Sequence, residues 1–245
     1  MALYLFIRLE QVAVAAQNGV EMLVLPEAYA LGELGPQTAF EPITAVGAVA
    51  CGNTGPVQSA LSCMSAKYGV ALAANIYGCR SSDTDCPKAH RRLTEEVFDK
   101  AGKLLVAYDK HHLFVNELLV VTAGPFSPTA FDLLGRRWGI LICFEGVWPV
   151  LGGNWSQSDD LVLRQNVTEL VWSIGGDIPT GLGGDMYVDR YPELHSVLAA
   201  EDRNAGAISC ASRSCSAATS KSFAVAVPDY LGYEPKLEVL VNTLL

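Results

Sequence analysis

Three reactive side chains each follow a run of residues that predicts a buried strand: the carboxyl group of Glu27, the ammonium group of Lys110 and the thiol of Cys143. Because ligand sites of layered α/β proteins lie beyond the carboxyl ends of strands, the three are candidates for one site. A carboxylate at a strand end can act as a general base, and a fixed ammonium group in a dry site can stabilise an oxyanion. A thiol supplies a nucleophile, so the predicted chemistry is attack on a carbonyl carbon.

The sequence changes character abruptly at Cys143. Mostly apolar residues precede the thiol and Phe144-Glu-Gly146 follows it, which predicts a strained strand-to-helix turn that exposes the thiol. The backbone N–H of Phe144 would then point to where an oxyanion forms. Taken singly, each candidate has an ordinary alternative: a loop carboxylate at Glu27, a solvated lysine at Lys110 and a buried structural cysteine at Cys143.

Two histidines, His111 and His112, follow Lys110 directly. No other His or Cys pair in the sequence has the spacing of a zinc site, so we expect a solvent-facing pair and no metal. A Cys–His dyad stays open as an alternative, although Asp109 is the only carboxylate evident for orienting such a histidine.

The composition limits the class of partner. Of the 245 residues, 50% are hydrophobic and 18% are charged, which excludes a disordered chain and a coiled coil. With 17 basic and 26 acidic residues the net charge is −9, and the longest basic run is Arg91-Arg92, so no nucleic acid is expected. No stretch reaches the roughly 18 apolar residues of a membrane span, and residues 1–7 lack the basic n-region of a signal peptide. We therefore expect a small-molecule partner.

Helical and strand patterns alternate along the chain, which predicts one layered α/β domain. The predicted helices cover residues 9–17, 55–67 and 192–204. The predicted strands cover residues 21–25, 70–74, 94–99, 104–108, 131–134, 138–143, 169–174 and 207–210. Two of these pairs, 94–99 with 104–108 and 131–134 with 138–143, have the short turns of antiparallel hairpins.

Seven cysteines, an odd number, leave at least one unpaired in any set of internal disulfides. Six paired cysteines would allow fifteen connectivities. The favoured pair is Cys79 with Cys86, because residues 80–85 between them are polar and turn-rich and Pro87 follows. Two unpaired surface thiols remain the alternative at these positions.

Taken together, three segments resemble the nitrilase superfamily of carbon–nitrogen hydrolases, whose Glu-Lys-Cys triad occurs in this order. The segments are Leu23-Val-Leu-Pro-Glu27, Tyr108-Asp-Lys-His-His-Leu-Phe114 and Gly139-Ile-Leu-Ile-Cys-Phe-Glu145. Asn75-Ile, the paired cysteines and residues 96–108 are similar to the biotinidase and vanin (pantetheinase) branch. The resemblance covers about 9–174 well and 175–245 weakly, and it predicts a single carbon–nitrogen hydrolase domain over 1–245.

This resemblance implies a four-layer αββα sandwich and hydrolysis of a secondary linear amide, such as pantetheine or biocytin, with no cofactor. Glu27 would take the thiol proton, Cys143 would form a thioester with the acyl group, and Lys110 with the Phe144 N–H would hold the oxyanion. Glu117 lies where many superfamily members keep a second glutamate that positions substrate or lysine.

Departures from the family pattern leave alternatives open. Only residues 1–7 are available for the family's first strand and the branch's C-terminal domain is missing, so we expect a fragment, a partial gene model or a shortened form. Ser173-Ile-Gly-Gly-Asp177 stands where the branch carries a Pro-Thr-Ala-Trp-like segment, which puts the substrate in doubt. A catalytically impaired binding protein and an amidase for small linear amides therefore remain the alternatives.

Two triplets have the form of glycosylation acceptors, Asn154-Trp-Ser156 and Asn166-Val-Thr168. The resembling branch is mainly secreted or membrane-anchored. An extracellular location is therefore favoured, although the sequence contains no signal peptide. The oligomeric state stays open.

Overall fold

A computed structural model describes residues 12–27, 39–52, 55–81, 85–175, 185–200, 210–211, 223–226 and 237–239. In these ranges the strands are β1 (Met22–Val24), β2 (Glu41–Pro42), β3 (Ala71–Cys79), β4 (Arg91–Phe98), β5 (Leu104–Asp109), β6 (Ala130–Leu133), β7 (Arg136–Ile142), β8 (Glu169–Ser173), β9 (Ser196–Ala200), β10 (Cys210–Ala211), β11 (Phe223–Ala226) and β12 (Leu237–Val239). The helices are α1 (12–17), α2 (Pro56–Tyr68), α3 (Phe144–Val147), α4 (Ser156–Asp159) and α5 (Asp185–Arg190). Short 3₁₀ turns cover Lys88–His90 and Glu117–Leu119, and a π-helical turn covers Asp160–Arg164. The strand considered at residues 1–7 lies outside the described residues.

The strands form two sheets. The first sheet has the order β12-β11-β1-β3-β4-β5, with β2 also paired to β3, and the second has the order β10-β9-β8-β7-β6. Both predicted hairpins are present, since β4 pairs antiparallel with β5 and β6 with β7. Parallel pairs lie at the centre of each sheet, β1 with β3 and β7 with β8. The predicted α/β class is confirmed.

Side chains of the central strands alternate between two apolar layers. In β1, Met22 and Val24 pack against residues of the second sheet such as Ile140, while Leu23 packs against α1 and α2. In β7, Leu141 likewise points away from the first sheet, toward α5 and Trp172. Because both faces of these strands are covered, their sequences are continuous apolar runs rather than alternating ones.

Local sequence signals define α2. Pro56 occupies the first helical position, where its missing N–H costs nothing, and Gly69 ends the helix in the left-handed conformation with φ +64°. Strand β3 follows and continues to Cys79, five residues beyond the predicted end. Its second half was not predicted because Asn75, Tyr77 and Gly78 interrupt the apolar pattern, although all nine of its residues are buried.

The predicted helix at 192–204 is wrong in its described part: residues 192–195 are not helical, and residues 196–200 are extended. Residues 196–200 form β9, which pairs in parallel with β8 from Glu169↔Ser196 to Ser173↔Ala200. Leucine and alanine favour a helix locally, but the open edge of β8 supplies hydrogen-bonding partners for an extended chain, and tertiary pairing outweighs propensity. Residues 201–204 of the predicted helix and 207–209 of the predicted strand lie outside the described residues.

Disulfides connect Cys79 with Cys86 and Cys51 with Cys63. The first is the pair that the sequence favoured, and it closes the loop between β3 and β4. The second joins the segment before α2 to the helix itself. Of the cysteines that the structure describes with their side chains, Cys143 is free.

A long-range cap holds the beginning of α2. The carboxyl group of Glu41 accepts hydrogen bonds from the backbone N–H groups of Val57 at 2.9 Å and of Gln58 at 3.2 Å. Burial raises the pKa of Glu41 despite these bonds. Because N–H groups in the first helical turn have no partner within the helix, this carboxylate satisfies donors that would otherwise be buried and unpaired.

Replacing Glu41 by alanine is expected to lower the free energy of unfolding by about 1–3 kcal/mol, since two buried N–H groups lose their acceptor. Urea unfolding followed by circular dichroism measures the loss. Glu41→Gln is the matched control, because its amide oxygen still accepts a hydrogen bond and the loss should be smaller. Equal stability of Glu41→Ala and the unmodified chain would contradict the capping role.

Within the described ranges, no helix combines the length and apolar character that crossing a bilayer requires.

Candidate active site

The three candidate residues lie where strands of the two sheets end. Glu27 follows β1 by three residues, Lys110 follows β5 directly, and Cys143 follows β7 directly. Two of them come from the first sheet and Cys143 comes from the second. The site therefore lies between the two sheets. It is formed by the strand ends at which the sequence predicted the three reactive side chains.

The ammonium group of Lys110 joins two carboxylates. Its Nζ donates to Glu27 Oε1 at 2.6 Å and to Glu117 Oε1 at 2.7 Å. Lys110 is fully buried, and Glu27 is 6% exposed. Burial disfavours the charged form of the lysine, but the negative charges of Glu27 and Glu117 outweigh it and raise the pKa of Lys110. The alternative of a solvated lysine is excluded by this burial.

Cys143 has the strained backbone of a nucleophile elbow. Its φ of +42° is unusual for a residue with a side chain, and α3 begins at the next residue. The thiol lies beside the carboxyl group of Glu27 and the backbone of Gly175. Burial and the charge of Glu27 raise the pKa of Cys143, so the thiol keeps its proton until a base removes it.

Glu117, the first residue of the 3₁₀ turn Glu117–Leu119, lies at one side of the site. Besides the bond to Lys110, its Oε2 accepts the backbone N–H of Phe114 at 2.7 Å. Burial and the charge of Glu27 raise the pKa of Glu117 to about 7, against the opposing effect of Lys110. The carboxyl group predicted to position lysine or substrate thus contacts the lysine directly.

Phe144 begins α3, so its N–H belongs to the first helical turn, where such groups have no partner within the helix. Its half-buried ring packs edge-on against Phe114 and Trp148, with centroids 5.4 and 5.5 Å away. Aromatic side chains therefore border the segment that carries the thiol.

Glu145 is a buried carboxyl group at the site for which the sequence analysis predicted no role. Its Oε1 accepts from the Tyr108 hydroxyl and from the His111 N–H, both at 2.7 Å, and its Oε2 accepts from the Ile142 N–H at 2.9 Å. Burial raises the pKa of Glu145. These bonds connect the segment on either side of Lys110 with the strand that ends at Cys143. The sequence did contain one indication of a role for Glu145, since it is a carboxyl residue two positions after the predicted nucleophile.

Gly175 lies against the general-base candidate. A Cβ atom at this position would lie 2.6 Å from Glu27 Oε2, closer than real contacts allow. The glycine that departs from the branch's usual segment therefore makes room for Glu27. Residues 176 and 177 of that segment lie outside the described residues.

The prediction that His111 and His112 face solvent is wrong. Both are half-buried: the ring of His112 stacks on Trp148 at 4.8 Å, and the ring of His111 packs edge-on against Phe126 at 5.3 Å. His111 Nδ1 lies 2.8 Å from the carbonyl oxygen of Gly124. Aromatic neighbours and the tight turn after β5 account for this burial. No group of three or more His, Cys, Asp or Glu side chains in the described part of the chain is arranged to hold a metal ion.

Both candidate glycosylation acceptors are accessible. Asn154 and Asn166 are exposed, and Asn166 lies in a turn with φ +56°. Neither lies in a helix or strand, so a glycan on either side chain would extend into solvent.

Comparisons with known proteins identify the family to which the chain is similar. The family profile "Carbon-nitrogen hydrolase" matches residues 5–151. Pantetheinases from Canis lupus familiaris and Homo sapiens are each 31% identical in alignments 147 residues long, which cover 54% of this chain and 29% of those proteins. Biotinidase from Mus musculus is 31% identical over 153 residues, 56% of this chain and 29% of its own length. The matched part of the chain thus spans less than a third of these curated relatives.

Solved structures support the fold. The NitN amidase from Nesterenkonia sp. AN1 aligns with a TM-score of 0.61, covering 81% of this chain and 71% of the amidase at 18% identity. A variant of the AN1 amidase, from the nitrilase superfamily, aligns with the same TM-score over 81% of this chain and 69% of its own. The predicted α/β fold of nitrilase type is confirmed.

Proposed function

Because the chain belongs to the carbon–nitrogen hydrolase family, we propose that it hydrolyses linear amides with Cys143 as the nucleophile. One observation carries the proposal: the carboxylate of Glu27 accepts a hydrogen bond from Lys110 Nζ at 2.6 Å and lies beside the thiol of Cys143. A nucleophile, a base and a fixed positive charge are the parts that acyl transfer requires.

The first half of the proposed reaction forms a thioester. Glu27 takes the thiol proton as the Cys143 sulfur attacks the amide carbonyl carbon, and the carbonyl oxygen becomes an oxyanion. Lys110 and the Phe144 N–H stabilise that oxyanion. The tetrahedral intermediate then collapses: the carbon–nitrogen bond breaks, and the proton held by Glu27 passes to the departing amine.

Hydrolysis of the thioester completes the reaction. Glu27, now ionised again, takes a proton from a water molecule while the water oxygen attacks the thioester carbonyl carbon. Lys110 and the Phe144 N–H stabilise the second oxyanion. Collapse breaks the carbon–sulfur bond, releases the carboxylic acid and returns the proton to Cys143. No cofactor takes part in this scheme.

We propose a secondary amide such as pantetheine or biocytin as the substrate. The support is the 31% identity to proteins named pantetheinase and biotinidase. The matched family region 5–151 contains Glu27, Lys110 and Cys143. The Gly175 segment, which differs from the branch's usual sequence, keeps a small linear amide as the second candidate.

The experiment that tests this function measures the release of amine or ammonia by the purified chain from pantetheine, biocytin and a short primary amide. Iodoacetamide labelling of Cys143, mapped by mass spectrometry, runs alongside. Turnover of pantetheine or biocytin would support the substrate class, and turnover of the primary amide alone would favour the second candidate. Rapid labelling without any turnover would contradict all three substrates but keep the nucleophile. The absence of both labelling and turnover would contradict catalysis itself.

Glu117→Gln is expected to remove an inflection near pH 7 from the pH dependence of kcat/KM. The pKa of Glu117 is about 7. As the pH rises through this value, Glu117 becomes a second negative charge on Lys110 and weakens the stabilisation of the oxyanion, so activity falls. The glutamine variant carries no such charge, and its activity should stay level in this range.

This prediction is checked by measuring kcat/KM between about pH 5 and about pH 9 for both proteins. Asp109→Asn, which changes a carboxyl group on the other side of Lys110 in the sequence, is the control and should keep the inflection. An inflection that persists in Glu117→Gln would assign it to a different group.

An extracellular location is also proposed. Disulfides persist in oxidising compartments, and two are present in the described part of the chain. The exposed positions of Asn154 and Asn166 support the same location, since glycan transfer requires accessible acceptors.

A further inference from the structure

A second buried carboxyl group, Glu95, lies beside the site and has no part in the reaction described above. It belongs to β4, where it is fully buried and paired across the strands with Asn75 on β3 and Tyr108 on β5. It shares the inner face of the first sheet with Val97, a residue of the apolar layer between the sheets. A carboxyl group in such a layer needs a hydrogen-bonding partner to offset its burial.

The partner of Glu95 comes from the opposite sheet. The hydroxyl group of Ser173, at the end of β8, donates to Glu95 Oε1 at 2.8 Å, and Ser173 is itself fully buried. Asn75, the cross-strand neighbour of Glu95 on β3, lies beside the same carboxyl group. The bond from Ser173 crosses the layer between the sheets, and it therefore sets the position of the end of β8 relative to β4.

Ser173 in turn holds the backbone of the nucleophile. Its carbonyl oxygen accepts the N–H of Cys143 at 2.6 Å, while Trp172 Nε1 donates to the carbonyl oxygen of Cys143 at 2.9 Å. Cys143 has a φ of +42°, a conformation that persists only where surrounding contacts enforce it. The end of β8 supplies two of those contacts.

The charges around Glu95 determine the form in which it acts. The hydrogen-bond donor to its carboxyl group, Ser173, and the neighbouring side chain of Asn75 are both neutral. Burial, together with the nearby negative charges of Glu27 and Glu96, raises the pKa of Glu95 well above its ordinary value. A neutral carboxyl group keeps the hydrogen bond to Ser173 without adding another negative charge near Glu27.

We propose that Glu95 is a positioning residue for the nucleophile: its carboxyl group holds Ser173, and Ser173 holds the strained backbone of Cys143 next to Glu27. This inference rests on the proposed role of Cys143 as the nucleophile. It adds to that role a residue that touches neither the substrate nor the reacting atoms.

The chain offers a matched control in Glu96, the next residue of β4. Glu96 is equally buried, but it lies on the opposite face of the strand, where Glu41, Arg80 and Asp109 are its charged neighbours. A general effect of removing a buried carboxyl group from β4 should therefore be the same at both positions, whereas an effect on the nucleophile should be confined to Glu95.

The experiment compares Glu95→Leu, Glu95→Gln, Ser173→Ala and Glu96→Leu by kcat and by the rate constant for alkylation of Cys143 with iodoacetamide. Thermal unfolding shows that each variant is folded. Glu95→Leu and Ser173→Ala should lower both rates by about 10²-fold, as a displaced nucleophile would. Glu96→Leu should leave them within about threefold, and so should Glu95→Gln, whose amide oxygen accepts the same hydrogen bond without a charge.

Two results would overturn the inference alone. Equal losses in Glu95→Leu and Glu96→Leu would indicate a general effect on β4. A loss in Glu95→Gln as large as in Glu95→Leu would mean that the ionised carboxylate is required. Turnover that survives Cys143→Ala would instead overturn the proposed function, and the inference with it.

Discussion

Cys143→Ala is expected to lower amide turnover by about 10⁴-fold or more while the chain stays folded. Without the sulfur no thioester can form, so the loss appears in kcat and leaves only the slow reaction with water. The fold should tolerate the change, because Cys143 is half-buried and free, and alanine keeps the backbone hydrogen bonds that hold this position. The ion pair between Lys110 and Glu27 does not depend on the thiol.

Turnover per folded molecule measures this effect, with thermal unfolding as the measure of folding. Cys143→Ser should be nearly as inactive, since a hydroxyl group is a far weaker nucleophile beside the same base. The double variant Cys79→Ala/Cys86→Ala is the control: it removes two sulfur atoms of the disulfide on the β3–β4 loop and should keep its turnover per folded molecule. Turnover above a tenth of the original in Cys143→Ala would require a different nucleophile.

The positions of Glu27, Lys110 and Cys143 could be predicted from the sequence because each depends on local signals. An apolar run followed by a polar or reactive residue marks the end of a buried strand, and strand ends of neighbouring elements meet in layered α/β proteins. The hairpins that present Lys110 and Cys143 were predicted for the same reason, since turn residues and strand patterns lie within a few positions of each other.

The supporting residues could not be predicted in this way. Glu41, Glu95 and Glu145 are charged residues by composition, yet all three are buried, because donors from distant segments surround them. Such donors become neighbours only through tertiary packing. One local signal did exist: adjacent residues of a strand point to opposite faces, so the pair Glu95-Glu96 in a strand buried on both sides had to place a carboxyl group in each apolar layer.

The error over residues 196–200 and the unpredicted Cys51–Cys63 disulfide have related causes. A short Ser-Val-Leu-Ala-Ala segment is compatible with either helix or strand, and the edge of β8 determines the outcome. The pairing of Cys63 depends on how α2 packs, because the segment with Cys51 must reach that face of the helix. Neither the strand that pairs with residues 196–200 nor the cysteine that pairs with Cys63 can be identified from the spacing of residues in the sequence.

The ammonium group of Lys110 is expected to contribute both to the stability of the fold and to the stabilisation of the oxyanion. Lys110→Met tests both contributions. The substitution leaves Glu27 and Glu117 buried without their shared ammonium group, and breaking a buried ion pair from one side costs about 3–5 kcal/mol. The substitution also removes the cation that would hold the oxyanion and the hydrogen-bond donor that orients Glu27. Turnover is therefore expected to fall by at least about 10³-fold.

Because loss of folding alone could lower turnover, a second variant separates the two effects. In Lys110→Met/Glu117→Gln, only Glu27 remains as a buried carboxylate without its ammonium partner. Part of the lost free energy of unfolding should therefore return, whereas turnover should not. Lys100→Met is the matched control: it removes a lysine whose ion pair with Glu21 is exposed, and it should cost less than about 1 kcal/mol and leave turnover unchanged. Recovery of turnover together with stability in the double variant would assign Lys110 a structural role only, and the oxyanion would then have to rely on backbone donors such as the Phe144 N–H.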